Sequence, residues 1–381
     1  MKVPFSKPFF DPEDLDEILA NMKTVLTSGW LTSGKNVEAL EKGFAETVGT
    51  RHAVALNSCT AALHAILLSL DVKPREEVIV PSDTFVATAN AALYTGAKPV
   101  FADSDPETFN LSPDDVERKI SSKTRAIIAV HLAGNPCDMK QLSEIAQDHH
   151  LSLVEDCAHA HGSKTRGKNC GTLGEAGAFS LYATKIITAG EGGMVTTDNE
   201  KIAERIKRIR TQGRGGVGPV ETTGLGYNYR LSDIHAVVGL SQLKHLSEFI
   251  SQRQQVARSY DRFLSNTSWA RPQLVRAEDV CPYYVYMLKL AKDAPLQRDE
   301  LAARLSEKGI GTSVLYYPVH NQPFYKSVLD RDPKCPVAEE LGKRTIALPM
   351  YNGMSNDDLE FVKQAWREIS ESTVEQYASV N

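Results

Sequence analysis

The chain has 381 residues, 42% of them apolar and 24% charged, and a formal net charge of −5. This is the balance of a globular protein long enough for two domains, and it provides no global basic field for nucleic acid or an anionic membrane. Any phosphate must be held by local groups.

The six cysteines are scattered without a C-x-x-C pair, which argues against a zinc ribbon and fits reduced thiols. No apolar run approaches the ~18 residues of a membrane span. Met1 to Asp14 has no apolar core of signal-peptide length, so a cytoplasmic protein is expected.

From residue 50 to 200, short strands alternate with helices. His52–Leu56, Glu77–Val80, Pro99–Ala102, Ala126–Val130 and Ser152–Glu155 read as strands because they are short, β-branched and bounded by turn residues. Between them Ala61–Leu70, Val86–Tyr94, Pro113–Ile120 and Met139–Asp148 carry helical spacing. Asn57, Ser58 and Thr60 are candidate caps for the first, and Ser112 precedes a Pro at N1 of the third. Such alternation predicts a mostly parallel sheet with helices on both faces, binding its ligand at the carboxyl ends of the strands.

After about residue 198 the rhythm changes. Helices are expected at Glu200–Arg210, Ser232–Leu243, Ser247–Leu264, Arg298–Lys308 and Asp357–Ser370, with a strand at Tyr283–Leu290. The expected division is a large α/β domain over residues 1–250 and a smaller α+β domain over residues 251–381.

Three segments carry candidate chemistry. Asn57-Ser-Cys-Thr-Ala-Ala62 joins a strand to a helix, where backbone N–H groups can hold an anion or the residues can simply cap. Val154-Glu-Asp-Cys-Ala-His-Ala-His161 ends a strand with an acid facing the crevice, either a partner for a buried cation or a cap. The alternation of Cys157, His159 and His161 also permits a metal reading, but no fourth ligand is evident and none is expected. In Ala178-Phe-Ser-Leu-Tyr-Ala-Thr-Lys185 a strand delivers Ser180 and Lys185 to a glycine-rich turn that returns as the strand Met194–Thr197. That setting suits a Schiff-base lysine as well as a surface one.

Gly213-Arg-Gly-Gly-Val-Gly218 has the spelling of a dinucleotide fingerprint. It follows a basic helix and precedes Pro219, whereas the fingerprint needs a strand before and a helix after, so a loop is expected.

In this order, the blocks resemble the DegT/DnrJ/EryC1/StrS family, the sugar aminotransferases of the fold-type-I pyridoxal-phosphate (PLP) superfamily. The resemblance runs from Gly29-Trp-Leu-Thr-Ser-Gly34 through Pro81–Thr88, His131–Gly134, Glu155–Gly162, Ser180–Gly193, Gly226–Ser232 and Tyr316–His320 to Leu348-Pro349. It implies an aspartate aminotransferase-like fold with a seven-stranded, mostly parallel sheet and a smaller α+β C-terminal domain.

It also implies residue roles. Lys185 would be the Schiff-base lysine and proton shuttle, Asp156 the partner of the pyridine nitrogen, and Phe85 the aromatic stacked on the ring. Ser58, Cys59 and Thr60 match the phosphate loop, with Ser180 adding a hydroxyl. His159, often glutamine in the family, packs near the ring's hydroxyl. Asn228 matches a phosphate ligand supplied to the neighbouring subunit, which implies a homodimer with shared active sites. Ala133 departs from the family, which commonly has an aromatic residue there.

Members that remove a hydroxyl have histidine where Lys185 stands, so transamination is implied. The expected substrates are glutamate and a nucleotide-linked keto sugar, by analogy a 4-keto-6-deoxy sugar, in a ping-pong reaction. Tyr316, Tyr317 and His320 fall in a segment expected on the sugar side, without assigned roles. Two other readings use the same residues, a keto-cyclitol aminotransferase and a non-catalytic regulator. A nicotinamide dehydrogenase has only the Gly213 segment in its favour.

Overall fold

The computed structural model describes residues 1–215, 221–329 and 332–378. Seven strands form the central sheet: β1 (His52–Leu56), β2 (Glu77–Pro81), β3 (Lys98–Ala102), β4 (Thr124–Val130), β5 (Ser152–Asp156), β6 (Ala176–Ser180) and β7 (Gly193–Thr197). Their order is β1-β7-β6-β5-β4-β2-β3. Neighbours from β6 to β3 pair in parallel, while β7 runs against both β1 and β6. The expected strands are all present, some a residue or two longer because backbone pairing continues past the apolar run, as Glu77 opposite Lys98 does.

Burial on both faces explains why these strands read as apolar runs rather than alternating ones. Val54, Val80, Ile128 and Val154 pack on one face around helix α3 (Cys59–Ser69). Ala53 and Ala55 meet α2 (Lys35–Val48) on the other face through Leu40 and Phe44, and Ile79 and Ile127 pack near the helix Met139–Asp148 there. Helix α3 starts two residues before the expected Ala61, because the Ser58 hydroxyl accepts the Ala61 N–H at 3.1 Å and makes Cys59 the first helical residue.

No helix or strand is expected from the sequence before residue 50, yet α1 (Pro12–Ser28) and α2 lie there. Helix α1 has an Asp11 cap, Pro at N1 and a left-handed Gly29 at its end, the usual start and stop signals.

The later part of the chain builds a three-stranded sheet from Ala270–Pro272, Tyr286–Leu290 and Thr345–Leu348. The helices Leu246–Leu264, Arg298–Glu307 and Asn356–Ala378 pack on it through Tyr260, Leu301 and Trp366. The expected strand at Tyr283 begins instead at Tyr286, since Tyr283 has φ +53° and cannot continue an extended ladder. Val3 belongs to the same cluster and bridges to Ile310, so the N-terminal segment returns to this sheet.

Gly213 follows the helix Glu200–Ile209 in a turn at φ +75°, as the loop reading requires; Gly216 to Gly218 lie outside the described residues. Among the described residues, no helix is long and apolar enough to cross a membrane.

Candidate active site

A cavity of about 520 Å³ opens where the carboxyl ends of the central strands meet the later part of the chain. Its floor at one end is the start of α3. The first-turn N–H groups of a helix have no intrahelical acceptor, so Cys59 and Thr60 present donors with the positive end of the helix dipole behind them. Strand β7 runs directly beneath this turn. A Cβ on Gly193 would lie 2.2 Å from the Ser58 carbonyl oxygen and 2.6 Å from the Cys59 nitrogen, so only glycine lets the strand pass.

Asp156 lines the same cavity, 5% exposed, at the close of β5. Thr88 Oγ1 donates to its Oδ2 at 2.8 Å, and the Ala158 N–H donates to Oδ1 at 3.1 Å. Thr84 Oγ1 is 2.9 Å from Thr88 Oγ1; because the Thr88 proton is committed to the carboxylate, Thr84 is the donor in that pair. Burial pushes the Asp156 carboxyl above its ordinary range, and Thr88, Ala158 and the Lys185 charge oppose it without cancelling it. A buried acid in that position is suited to a cation it can pair with.

Lys185 is half-buried in the turn after β6, its Nζ 4.4 Å from the centroid of the Tyr284 ring. Tyr284 also bonds Thr184 through its hydroxyl (3.1 Å) and stacks on His159 with centroids 4.3 Å apart. The ring nitrogens of His159 are both engaged: Nδ1 accepts the Ala133 N–H at 3.3 Å, and Nε2 lies 3.1 Å from the Tyr316 hydroxyl. Tyr316 is fixed from below by Asp83, whose Oδ1 accepts its backbone N–H at 2.8 Å. Burial raises Asp83 to about 8, and its Oδ2 has no partner among the described residues. Phe85, at the N-cap of the helix Val86–Tyr94, is 55% exposed, an aromatic face left open beside the cavity.

Thus Ser58, Cys59, Thr60, Phe85, Asp156, His159, Ser180 and Lys185 all line one cavity. Asn228 does not; it is exposed, and its carbonyl accepts Asn57 Nδ2 at 3.3 Å. Of the unassigned trio, Tyr316 faces the cavity and Tyr317 is 59% exposed. His320 is buried between Ser82 Oγ, 2.5 Å from its Nδ1, and Glu339, 3.3 Å from its Nε2.

Thr88 and Tyr284 were missed by the sequence reading. Thr88 falls three residues after Phe85 on a helix, a spacing that places it on the same side. Tyr284 is brought from a distant segment and had no local signal.

The metal reading of Cys157, His159 and His161 fails on geometry. The strand ends at Asp156, so the alternation does not continue; His159 is engaged as above, and His161 packs between Phe44 and Phe179. Among the described residues, Cys157 instead groups with His131 and Glu155. There both His131 nitrogens are taken, Nδ1 by the Cys137 N–H (3.0 Å) and Nε2 by Glu155 (3.0 Å).

The model of the DegT/DnrJ/EryC1/StrS aminotransferase family matches residues 12–367. The chain belongs to this family. It is 37% identical to the GDP-perosamine synthase of Escherichia coli over 363 residues, covering 95% of this chain and 98% of that one. It is also 37% identical to the spore coat polysaccharide biosynthesis protein SpsC of Bacillus subtilis, over 96% of this chain and 97% of the other. Spr1654 from Streptococcus pneumoniae, solved in PLP and PMP forms, superposes with TM-scores of 0.91 and 0.92 at 27% and 26% identity. It covers at least 97% of this chain and 99% of its own.

As a member of the family the protein is a PLP-dependent aminotransferase. The cavity's donor set fits that cofactor. It has a helix start for a phosphate, an acid for a ring cation, an open aromatic face for the ring and a lysine in the same cavity. Ala133, where the family commonly has an aromatic side chain, serves the site through its backbone: its N–H goes to His159 and its carbonyl accepts the Tyr284 N–H at 2.9 Å.

Proposed function

We propose that this aminotransferase moves an amino group from glutamate to a nucleotide-linked keto sugar, with a 4-keto-6-deoxy sugar as the substrate class, in amino-sugar biosynthesis. The observation that carries the reading is the meeting of Lys185, the donor-supported Asp156 and the α3 N-terminus in one cavity of a family member. Relatives named for GDP-perosamine synthesis and spore coat polysaccharide biosynthesis support a sugar as the acceptor.

In this reading Lys185 holds the cofactor and moves the proton at the substrate carbon. When bound, PLP supplies an electron sink that carries nitrogen between the two substrates. Asp156, kept in place by Thr88 and Ala158, pairs with the protonated ring nitrogen. Ser58, Cys59, Thr60 and Ser180 would hold the phosphate and Phe85 and His159 would receive the ring.

Asn228 reaches the phosphate of a second copy, which makes the active unit a homodimer with shared sites. Its exposure, away from its own chain's cavity, supports that assignment. We further propose a large domain over residues 1–250 and a small one over residues 251–381. The helix Leu246–Leu264 supports a division there, since Phe249 packs in one core cluster and Val256, Tyr260 and Leu264 in another. A cytoplasmic location is proposed from the six free, buried cysteines.

The test is amination of GDP-, UDP- and dTDP-linked 4-keto-6-deoxyhexoses by the PLP-loaded protein with glutamate, followed by mass spectrometry. One of them should become an amino sugar as 2-oxoglutarate appears. Glutamate turnover to 2-oxoglutarate with every sugar left untouched would refute the substrate class while leaving the aminotransferase itself intact.

A further inference from the structure

The hydrogen bonds around His159 fix where its protons are, and that has a consequence for its neighbour. Nδ1 faces the Ala133 N–H, which can only donate, so Nδ1 is the unprotonated nitrogen of the ring. Burial holds the ring well below its ordinary pKa, the Lys185 charge adds to this, and the ring is neutral. Its single proton is therefore on Nε2, which lies 3.1 Å from the Tyr316 oxygen and donates to it.

Tyr316 is then an acceptor from His159 and retains its own hydroxyl proton. Burial raises the phenol well above its ordinary pKa and keeps it protonated. Among the described residues no side chain or carbonyl accepts this proton, while the residue lines the cavity. The phenol is also held rigidly. Its backbone N–H is anchored on Asp83 at 2.8 Å, and its ring lies 5.8 Å from Phe85 and 6.1 Å from His159. A half-buried donor that is fixed at several points, has no acceptor among the described residues and lines the cavity is placed to meet a ligand atom.

We propose that Tyr316 is a ligand-contacting residue that donates its hydroxyl proton to an oxygen of the cofactor ring or of the substrate, and that His159 is the positioning residue that sets this direction. His159 itself has no donor left for the ligand, since both nitrogens are engaged within the protein. This inference rests on the reading of the cavity as a PLP aminotransferase site.

The experiment uses PLP-loaded Tyr316→Phe, which keeps the ring and removes only the hydroxyl. Two readouts are taken, the visible band of the bound cofactor and KM for glutamate and for a GDP-linked 4-keto-6-deoxyhexose. A displaced band with both KM values unchanged assigns the oxygen to the cofactor. An unmoved band with one KM raised about tenfold, the value of one hydrogen bond, assigns it to that substrate. Either result supports the donor role; no change in band or KM overturns it.

His159→Gln keeps an N–H and should stay closer to wild type in band position and KM than His159→Leu does. His159→Leu should reproduce Tyr316→Phe, and the double variant should add nothing further. Full additivity would overturn the positioning role. A wild-type protein with no visible band at all would instead refute the underlying cofactor reading, an outcome distinct from an unmoved band in Tyr316→Phe.

Discussion

Thr88 Oγ1 donates to Asp156 Oδ2 at 2.8 Å, a bond that ties the helix after β2 to the acid at the end of β5. Thr84 donates in turn to Thr88, so the three form a polarised chain ending on the carboxylate. Thr88→Val keeps the volume and removes the donor. Asp156 then becomes harder to ionise, and PLP affinity should fall about tenfold, as for one hydrogen bond to a charged group. Titration of the apo protein with PLP, followed by absorbance, measures this, and Thr88→Ser should restore most of the loss.

Asp83 gives a pH signature to stability. Its folded-state pKa is raised by burial from 3.8 to about 8, so between those values the native chain holds a proton that the unfolded chain releases. The stability this provides is complete below the unfolded pKa and is lost as pH rises toward 8, at up to about 1.4 kcal/mol per pH unit. Asp83→Asn cannot ionise and keeps an acceptor for the Tyr316 N–H. Its midpoint of urea unfolding should therefore fall less steeply with rising pH than that of wild type over the same range.

Gly193→Ala should damage the phosphate end of the cavity. The new methyl group would overlap the Ser58 carbonyl at 2.2 Å, where backbone on both sides leaves little room to yield. A destabilisation of about 1–3 kcal/mol is expected, as for overpacking in a core, together with loss of bound cofactor on gel filtration. Stability and cofactor content equal to wild type would contradict this placement of β7.

Tyr284 packs against both His159 and the Lys185 amine. Tyr284→Leu removes the stacked face and the bond to Thr184, leaving the lysine less restrained. The rate of the glutamate half-reaction in a stopped-flow instrument should drop about tenfold, corresponding to the 1–2 kcal/mol of a partly desolvated cation–π contact. Tyr284→Phe, which keeps the ring, should retain most of the rate.

Much of this arrangement was legible in the sequence. The strands from His52 to Asp156 announce themselves because burial on both faces makes them apolar runs bounded by turns, and Ser58 signals its helix by capping chemistry. The resemblance to the family brought Lys185, Asp156 and Phe85 together as candidates before any geometry was known. What stayed hidden depends on long-range contacts. Tyr284 is about a hundred residues from the lysine it touches, and its segment looked like the start of a strand until φ at Tyr283 showed otherwise. The proton on His159 Nε2 follows from an Ala133 N–H and a Tyr316 hydroxyl far apart in the chain, which no local pattern encodes. The alternation of Cys157, His159 and His161 in the sequence does not carry over to space, because the strand stops at Asp156.

The most direct test of the central claim, that Lys185 holds PLP for transamination, is the visible spectrum of the PLP-loaded protein before and after glutamate, beside Lys185→Ala. Wild type should show a band of the lysine-bound cofactor that fades as glutamate is added, and Lys185→Ala should lack that band or show an altered one that glutamate does not discharge. A wild-type protein that forms no such band even with added PLP, or a Lys185→Ala variant with the wild-type band and response, would contradict the account.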